Sequence, residues 1–312
     1  MRIKNLSFLM SIFFVLFFIP ISCENFSLSC KTNLIANVED TFEKSVSISG
    51  PLVLEVKISQ GNINVTRGSD KEIKIRSKFK VFGMKEEDIK ISAEAIKKDP
   101  PIEIKDKKVK IGNLKKYNID KWFSEKKVIM DLDIYAPVKT SVTTETGLGN
   151  ITVMSLAGSV KAITGLGSVK IENVGSVDVK SGSGYIKITG VAHDVNVITG
   201  KGGIEFKILQ GNVSARTGFG NIILDSVIRA GKKWNLDSGL GNVELGLFPE
   251  SSFTFFCLTG IGKIEFDLKG EITNKTERKL EGKVGTNPSA SITIRVGKGD
   301  ISIHGSSSLI EI

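Results

Sequence analysis

From Leu52 to Ile303 apolar and polar residues alternate with a period of two, in short runs broken by glycine. Alternation of this kind predicts strands with one wet and one buried face. From Thr146 onward the runs repeat. The unit is Thr/Ser-Gly-x-Gly-x-Ile/Val-x-apolar, as in Thr146-Gly147-Leu148-Gly149-Asn150-Ile151 and Thr164-Gly165-Leu166-Gly167-Ser168-Val169. It returns as Ser181-Gly182-Ser183-Gly184, Thr199-Gly200-Lys201-Gly202 and Thr217-Gly218-Phe219-Gly220. Ser238-Gly239-Leu240-Gly241 and Thr259-Gly260-Ile261-Gly262 follow, and Gly297-Lys298-Gly299-Asp300-Ile301 closes the series. The first glycines step by 18, 17, 18, 18, 21, 21 and then 37 residues. A period near 18 without helical periodicity predicts an all-β fold, a β-solenoid (β-helix) of stacked coils.

A second turn falls half-way along each coil, at Gly158-Ser159, Gly175-Ser176, His193-Asp194 and Gly211-Asn212. One coil is therefore two short strands joined by two turns. Alternation sends Ile151/Val153, Val169/Ile171, Ile186/Ile188, Ile204/Phe206, Ile222/Leu224, Val243/Leu245, Ile264/Phe266 and Ile301/Ile303 inward on the first strand. On the second it sends in Val160/Ala162, Val177/Val179, Val195/Val197, Val213/Ala215, Trp234/Leu236, Phe255/Cys257 and Ile292/Ile294. Trp234, Phe253 and Phe255 enlarge the late coils, so the stack is expected to widen toward its C-terminus. The residue before each first glycine also points inward, a column of Thr146, Thr164, Ser181, Thr199, Thr217, Ser238 and Thr259. Coils lie about 4.8 Å apart, so these hydroxyls can bond one another or the nearby turn backbone.

Upstream the alternation persists without a fixed period. Residues 51–145 are expected to be irregular strands of the same stack, at Leu54–Ile58, Gln60–Val65, Glu72–Val81, Ile89–Lys97, Ile102–Ile111 and Val128–Ala136. A helical turn is expected at Lys85–Asp88. The stretch from Gly112 to Lys127 reads as a loop that folds Tyr117, Trp122 and Phe123 back onto the sheet. Residues 23–50 read as a tether, 146–304 as the repetitive solenoid and 305–312 as a tail.

The N-terminus is a different kind of segment. Arg2 and Lys4 precede an apolar run from Leu6 to Ile21, too short for a spanning helix of about 20 residues and interrupted by Pro20. Residues 1–22 are thus expected to be a signal peptide. Ile19-Pro20-Ile21-Ser22-Cys23 resembles a bacterial lipoprotein signal, which implies acylation of Cys23 and a lipid anchor in a bacterial membrane. The other reading of the same residues is ordinary cleavage after Cys23, with Ile21 and Cys23 recognised.

Composition removes several function classes. Two histidines and three cysteines cannot supply a Cys/His zinc site of four ligands from one cluster, nor a disulfide-dense scaffold, and neither a metal nor another cofactor is expected. Cys257, in Phe255-Phe256-Cys257-Leu258, reads as a small buried hydrophobe. The net charge of +9 falls to +7 once Arg2 and Lys4 leave with the signal, and the surplus is spread along the chain. No basic stripe is interleaved with aromatics, which argues against nucleic acid.

Catalytic signals are few. The G-x-G turns superficially match dinucleotide loops, but such a fingerprint is one copy between a strand and a helix. Stacked in sequence order, His193 and His304 would lie about five coils apart, roughly 24 Å. The best acidic constellation is Glu244 over Glu265, one coil apart in an outward column, with Asp267 two residues on. Carboxylates about 5 Å apart could form a retaining glycosidase pair or hold a cation; a solvated face relieved by Lys263 is the plainer reading. Lys187 over Glu205 is expected as a cross-coil ion pair.

The repeats, the Asp131-Leu132-Asp133-Ile134-Tyr135-Ala136-Pro137 strand and the ending Gly282–Gly285 with Ile292–Ile303 resemble the DUF4097 family of adhesin-like β-strand repeats over roughly residues 50–304. The resemblance implies a β-helical solenoid on a bacterial envelope protein and carries over no catalytic residue. Two functions follow as expectations: a non-enzymatic, lipid-anchored rod presenting a surface to an envelope or host protein or glycan, or a carbohydrate-active enzyme on a β-helix scaffold.

Overall fold

The computed structural model describes residues 36–48, 50–117, 119 and 127–306. Cys23, Cys30, Trp122 and Phe123 lie outside the described residues, as do the signal segment and most of the tail. The N-terminal part contains β1 (Ala36–Ser47), β2 (Leu52–Gln60), β3 (Ile63–Arg67), β4 (Glu72–Gly83), α1 (Glu86–Lys98), β5 (Ile102–Lys105), β6 (Lys108–Ile111) and β7 (Lys127–Ala136). The repeats supply β8 (Thr140–Leu148), β9 (Ile151–Leu156), β10 (Val160–Leu166), β11 (Val169–Val174), β12 (Val177–Ser183), β13 (Ile186–Val191), β14 (Val195–Lys201) and β15 (Ile204–Leu209). They continue through β16 (Val213–Phe219), β17 (Ile222–Ser226), β18 (Lys233–Leu240), β19 (Val243–Leu247), β20 (Phe253–Ile261) and β21 (Ile264–Asp267). The last elements are β22 (Glu271–Lys275), β23 (Lys279–Val284), β24 (Ala290–Lys298) and β25 (Ile301–Gly305).

These strands form two long sheets that enclose one core. One runs β1-β4-β7-β3-β9-β11-β13-β15-β17-β19-β25-β21, the other β22-β23-β20-β24-β18-β16-β14-β12-β10-β8-β2-β6-β5. From β8 to β19 every pairing is parallel and in the register of the repeats: Val160 lies over Val177, Val177 over Val195, and Ile186 over Ile204. The inward pairs fill the interior as the alternation requires, and Trp234, Phe253 and Phe255 are buried in the late coils. The irregular N-terminal strands join the same two sheets through β2 on β8 and β3 on β9.

Both ends carry non-repeating elements, which cover part of the bare apolar face of a terminal coil. At the N-terminal end α1 packs on β1 and β4 and buries Ile89, Ala93 and Ile96. A strand was expected at Ile89–Lys97. The helix prevails because Ile89, Ala93 and Ile96 share one helical face, with Glu86, Glu87 and Asp88 in its first turn and Lys97 and Lys98 in its last. At the other end the insert between Asp267 and Gly285 is the antiparallel pair β22 and β23, laid against the outer edge of β20.

Three more expectations are corrected. The tether ends earlier than residue 50: from Ala36 the chain is β1, antiparallel to β4, with Glu39 between Lys78 and Lys80 and Glu43 between Lys74 and Arg76. The single strand at Ile102–Ile111 is two, β5 and β6, folded back at Asp106, whose φ is +54°. Most consequential, the final strands do not stack last. β24 lies between β18 and β20, and β25 between β19 and β21. Ile264 and Phe266, assigned to the core by alternation, therefore sit on the open edge strand β21 and are half-buried.

One regular feature has little trace in the sequence. Ser155, Asn173, Gly190 and Ile208, stacked just before the end of β9, β11, β13 and β15, all have positive φ, from 52° to 69°. Glycine and asparagine tolerate that region; Ile208, β-branched, is strained there.

Candidate functional site

The repeated Thr-Gly-x-Gly corner joins the two sheets, and almost every group in it is used for stacking. Most of the inward hydroxyls donate to the carbonyl of the second glycine in an adjacent coil: Thr146 Oγ1 to Gly61 O at 3.1 Å, Thr164 Oγ1 to Gly149 O at 3.0 Å, Thr217 Oγ1 to Gly202 O at 3.0 Å, Ser238 Oγ to Gly220 O at 2.9 Å and Thr259 Oγ1 to Gly299 O at 2.8 Å. Thr199 Oγ1 donates to Lys201 O at 3.3 Å, and Ser181 Oγ is buried without a partner. Thus the column bonds turn backbone rather than itself. Gly167 has φ +153°, and a Cβ there would stand 2.0 Å from Gly149 O; at Gly165 it would stand 2.5 Å from Gly147 O. The same holds in kind for the glycines at 147, 149, 182, 184, 200, 202, 218, 220, 239, 241, 260 and 262, each facing a neighbouring carbonyl at 2.7 Å or less.

The residue after the second glycine completes the corner. Asn62 Oδ1 accepts from Asn150 N at 3.0 Å, and Asn150 Oδ1 from Ser168 N at 2.8 Å. A second ladder runs from Asn221 Oδ1 to Asn242 N, Asn242 Oδ1 to Asp300 N and Asp300 Oδ1 to Lys263 N, at 2.8 to 2.9 Å. Sequence reasoning passed over this Asn/Asp column, although its recurrence at the same motif position was there to be read. The third position of the motif has no stacking role for its side chain, and it faces out.

The acidic pair does not form as expected. Ser302 lies between Glu244 and Glu265, because β25 separates β19 from β21. Glu244 Oε1 instead meets His304 Nε2 at 3.2 Å. The same insertion leaves His304 three to four coils from His193 rather than five, still out of mutual reach. His193 is exposed in its half-way turn. Lys187 and Glu205 do pair across coils, at 3.0 Å. Tyr185 Oη also donates to Glu205 Oε2 at 2.6 Å. That phenolic bond, with Lys187, holds the Glu205 carboxyl below the usual carboxylate range, while burial and the carboxylate push the Tyr185 phenol up to about 12.

Two further places hold polar or reactive groups. A cleft of about 510 Å³ beside β2 and β6 is lined by Glu55, Lys57, Glu103, Lys110, Lys115 and Lys127 among apolar residues including Ile111 and Leu114. Lys57 is tied to Glu145, and Lys108 to Glu55 at 2.8 Å. Cys257 is a free, buried thiol whose burial pushes its pKa up to about 12, so it is not an activated nucleophile. Among the described residues no three His, Cys, Asp or Glu side chains are grouped to hold a metal ion, and no helix is long and apolar enough to cross a membrane.

The fold defines a capped, two-sheet parallel β-solenoid whose motif glycines and threonines build the stack. The chain belongs to the Toastrack DUF4097 family, whose model matches residues 53–304. Among solved structures it is similar to a "putative cell adhesion protein" from Clostridium sporogenes ATCC 15579, at 14% identity and a TM-score of 0.28, covering 86% of this chain and 100% of that one. It is also similar to a "putative adhesin" from Bacteroides fragilis NCTC 9343, at 11% identity and a TM-score of 0.29, covering 85% of this chain and 97% of that one. No curated protein matches the chain.

Proposed function

We propose that the chain is an exported cell-envelope protein, anchored by lipid at Cys23, whose solenoid acts by binding and not by catalysis. The supporting observation is the fate of the repeated corner. Its hydroxyls, glycines and Asn/Asp side chains look like a row of sites in sequence, yet they are taken up by coil stacking. What remains for a partner is mainly the outer surface of the stack. The basic N-terminus, the apolar run from Leu6 and the Ser22-Cys23 pair support export and anchoring. Replacing Cys23 by Ala is expected to move the protein from the membrane to the soluble fraction and abolish fatty-acid labelling. An unmodified mature N-terminus at Glu24 would overturn the anchor.

A second reading has one observation in its favour. With Ser302 between them, Glu244 and Glu265 are two strand spacings apart, about 9.6 Å. That lies at the upper limit of the separation of about 6.5–9.5 Å used by inverting glycosidases. No turnover is expected from the purified protein on polysaccharide or peptidoglycan panels. Product that disappears in the Glu244→Gln/Glu265→Gln double variant would make these carboxylates catalytic and sink the binding reading.

A further inference from the structure

The third residue of each corner motif forms an unbroken outward column. In register it reads Gln60, Leu148, Leu166, Ser183, Lys201, Phe219, Leu240, Lys298 and Ile261. Stacking does not dictate these side chains, since Ser183, Lys201 and Lys298 serve at three of the corners. Five positions are nonetheless large and apolar, and they are open to solvent: Leu148 44%, Leu166 56%, Phe219 53%, Leu240 43% and Ile261 61% exposed. At about 4.8 Å per coil the column runs for roughly 38 Å. It stands proud because the strand position beside it is glycine in every coil from Gly147 to Gly260, leaving a bare floor.

Charge along the ridge has one sign. Lys201 and Lys298 interrupt it, and Lys201 Nζ lies 6.0 Å from the centre of the Phe219 ring. Across the glycine floor the next outward column carries Lys180, Arg216 and Arg295 with Ile198 and Leu258. The acids of that column are Asp237, bonded to Arg216 at 3.2 Å, and Glu145, tied to Lys57. On the other flank of the ridge Glu205 is paired with Lys187 and Glu244 with His304, while Glu265 and Asp300 are exposed, so the bases hold a modest surplus. Exposed aliphatic groups along one edge with a surplus of lysine and arginine alongside are the chemistry of an interfacial anchor on anionic lipid. A glycan would call for aromatic platforms and hydrogen-bonding side chains, and Phe219 is the one aromatic in the column.

We propose that this corner ridge seats the solenoid lengthwise on an anionic lipid surface. This deepens the proposed function and rests on its envelope reading. Twelve residues lie between Cys23 and Ala36, a reach of at most about 45 Å, so a chain anchored at Cys23 would hold the ridge at high local concentration beside its own membrane.

The experiment uses the chain without residues 1–22 and with Cys23→Ser, so that no lipid contributes. It is expected to co-sediment with vesicles holding about 30% phosphatidylglycerol in phosphatidylcholine, at least about tenfold more tightly than with phosphatidylcholine alone, and to be released by salt. Leu166→Ser/Phe219→Ser/Leu240→Ser is expected to lower that affinity by about tenfold or more with an unchanged unfolding midpoint. Lys201→Glu/Lys298→Glu should remove the preference for anionic lipid. Absence of vesicle binding, or binding indifferent to both variants, would overturn the proposal. So would dimerisation in light scattering that the triple serine variant abolishes, which would assign the ridge to a protein contact. Fractionation of the Cys23→Ala chain reads the anchor separately, so either idea can fail alone.

Discussion

Between β10 and β17 each coil rests on the one that precedes it in sequence; Val179 lies between Ala162 and Val197. Between β18 and β25 the repeat continues but the order does not. Trp234 pairs with Ile292, 58 residues away, while the intervening coil β20–β21 is pushed outward. Closing a loop of that length instead of 18 residues costs about 1 kcal/mol more. What offsets it is burial. Ile292, Ile294, Ile301 and Ile303 become fully buried with a coil on either side, and only the half-buried Ile264 and Phe266 are left at the edge. The outer edge of β20 is taken by β23, so the position between β18 and β20 is where β24 can pair with strands on both sides. The comparison teaches that a regular repeat fixes what each coil looks like, whereas the end of the stack fixes the order of the coils.

Removing residues 290–312 is the harshest test. The β20–β23 amides are expected to lose slow hydrogen exchange while those of β10–β15 keep it, because coils contact only their neighbours. Loss of protection throughout would show that centre and end are one cooperative unit. Next comes a pair of substitutions at positions the repeat treats as equivalent. Ile204→Asp buries an unpaired carboxylate and is expected to cost about 4 kcal/mol; Ile264→Asp, on the edge strand, about 1 kcal/mol. Equal denaturation midpoints would contradict the strand order.

Glycines separate in the same way. Gly167→Ala places a Cβ against Gly149 O and is expected to cost about 3 kcal/mol. Gly231→Ala, at φ +74° with open space around it, should cost about 1 kcal/mol, measurable by urea unfolding. In the regular region Ile208→Asn is expected to stabilise by about 0.5–1 kcal/mol, since asparagine accepts the positive φ; a lower thermal midpoint would show that packing of Ile208 outweighs its strain. The smallest effect concerns β1. Hydrogen bonds from Lys78 and Lys80 hold Glu39, and those from Lys74 and Arg76 hold Glu43, below the usual carboxylate range. Depressed carboxyl pKa values add stability that is complete above the unfolded value of about 4.3 and lost as pH falls through the lower folded values. Corrected exchange rates of β1 amides should therefore rise more than those of β12 between about pH 6 and pH 3. An equal response would free β1 from its ion pairs.

Much of the candidate surface was legible as well. The exposed third position of each motif is visible in sequence as Leu148, Leu166, Phe219, Leu240 and Ile261, but its meaning depended on knowing that its neighbours were spent on stacking. The Glu244–Glu265 pair shows the converse. Two residues in equivalent motif positions look adjacent, and an intervening strand from the far end of the chain parts them and gives Glu244 to His304.

The sequence by itself determined the coil: its length, its two strands, the inward pairs, the glycines and the hydroxyl column, because each depends on alternation and on contacts one period away. The helix over Ile89–Ile96 is also written in the residues, through its apolar face and charged ends. Only the tertiary structure decided the insertion of β24 and β25 and the pairing of β1. Those choices depend on which edges and apolar ends remain uncovered once the coils have stacked, and no periodicity within the chain encodes that.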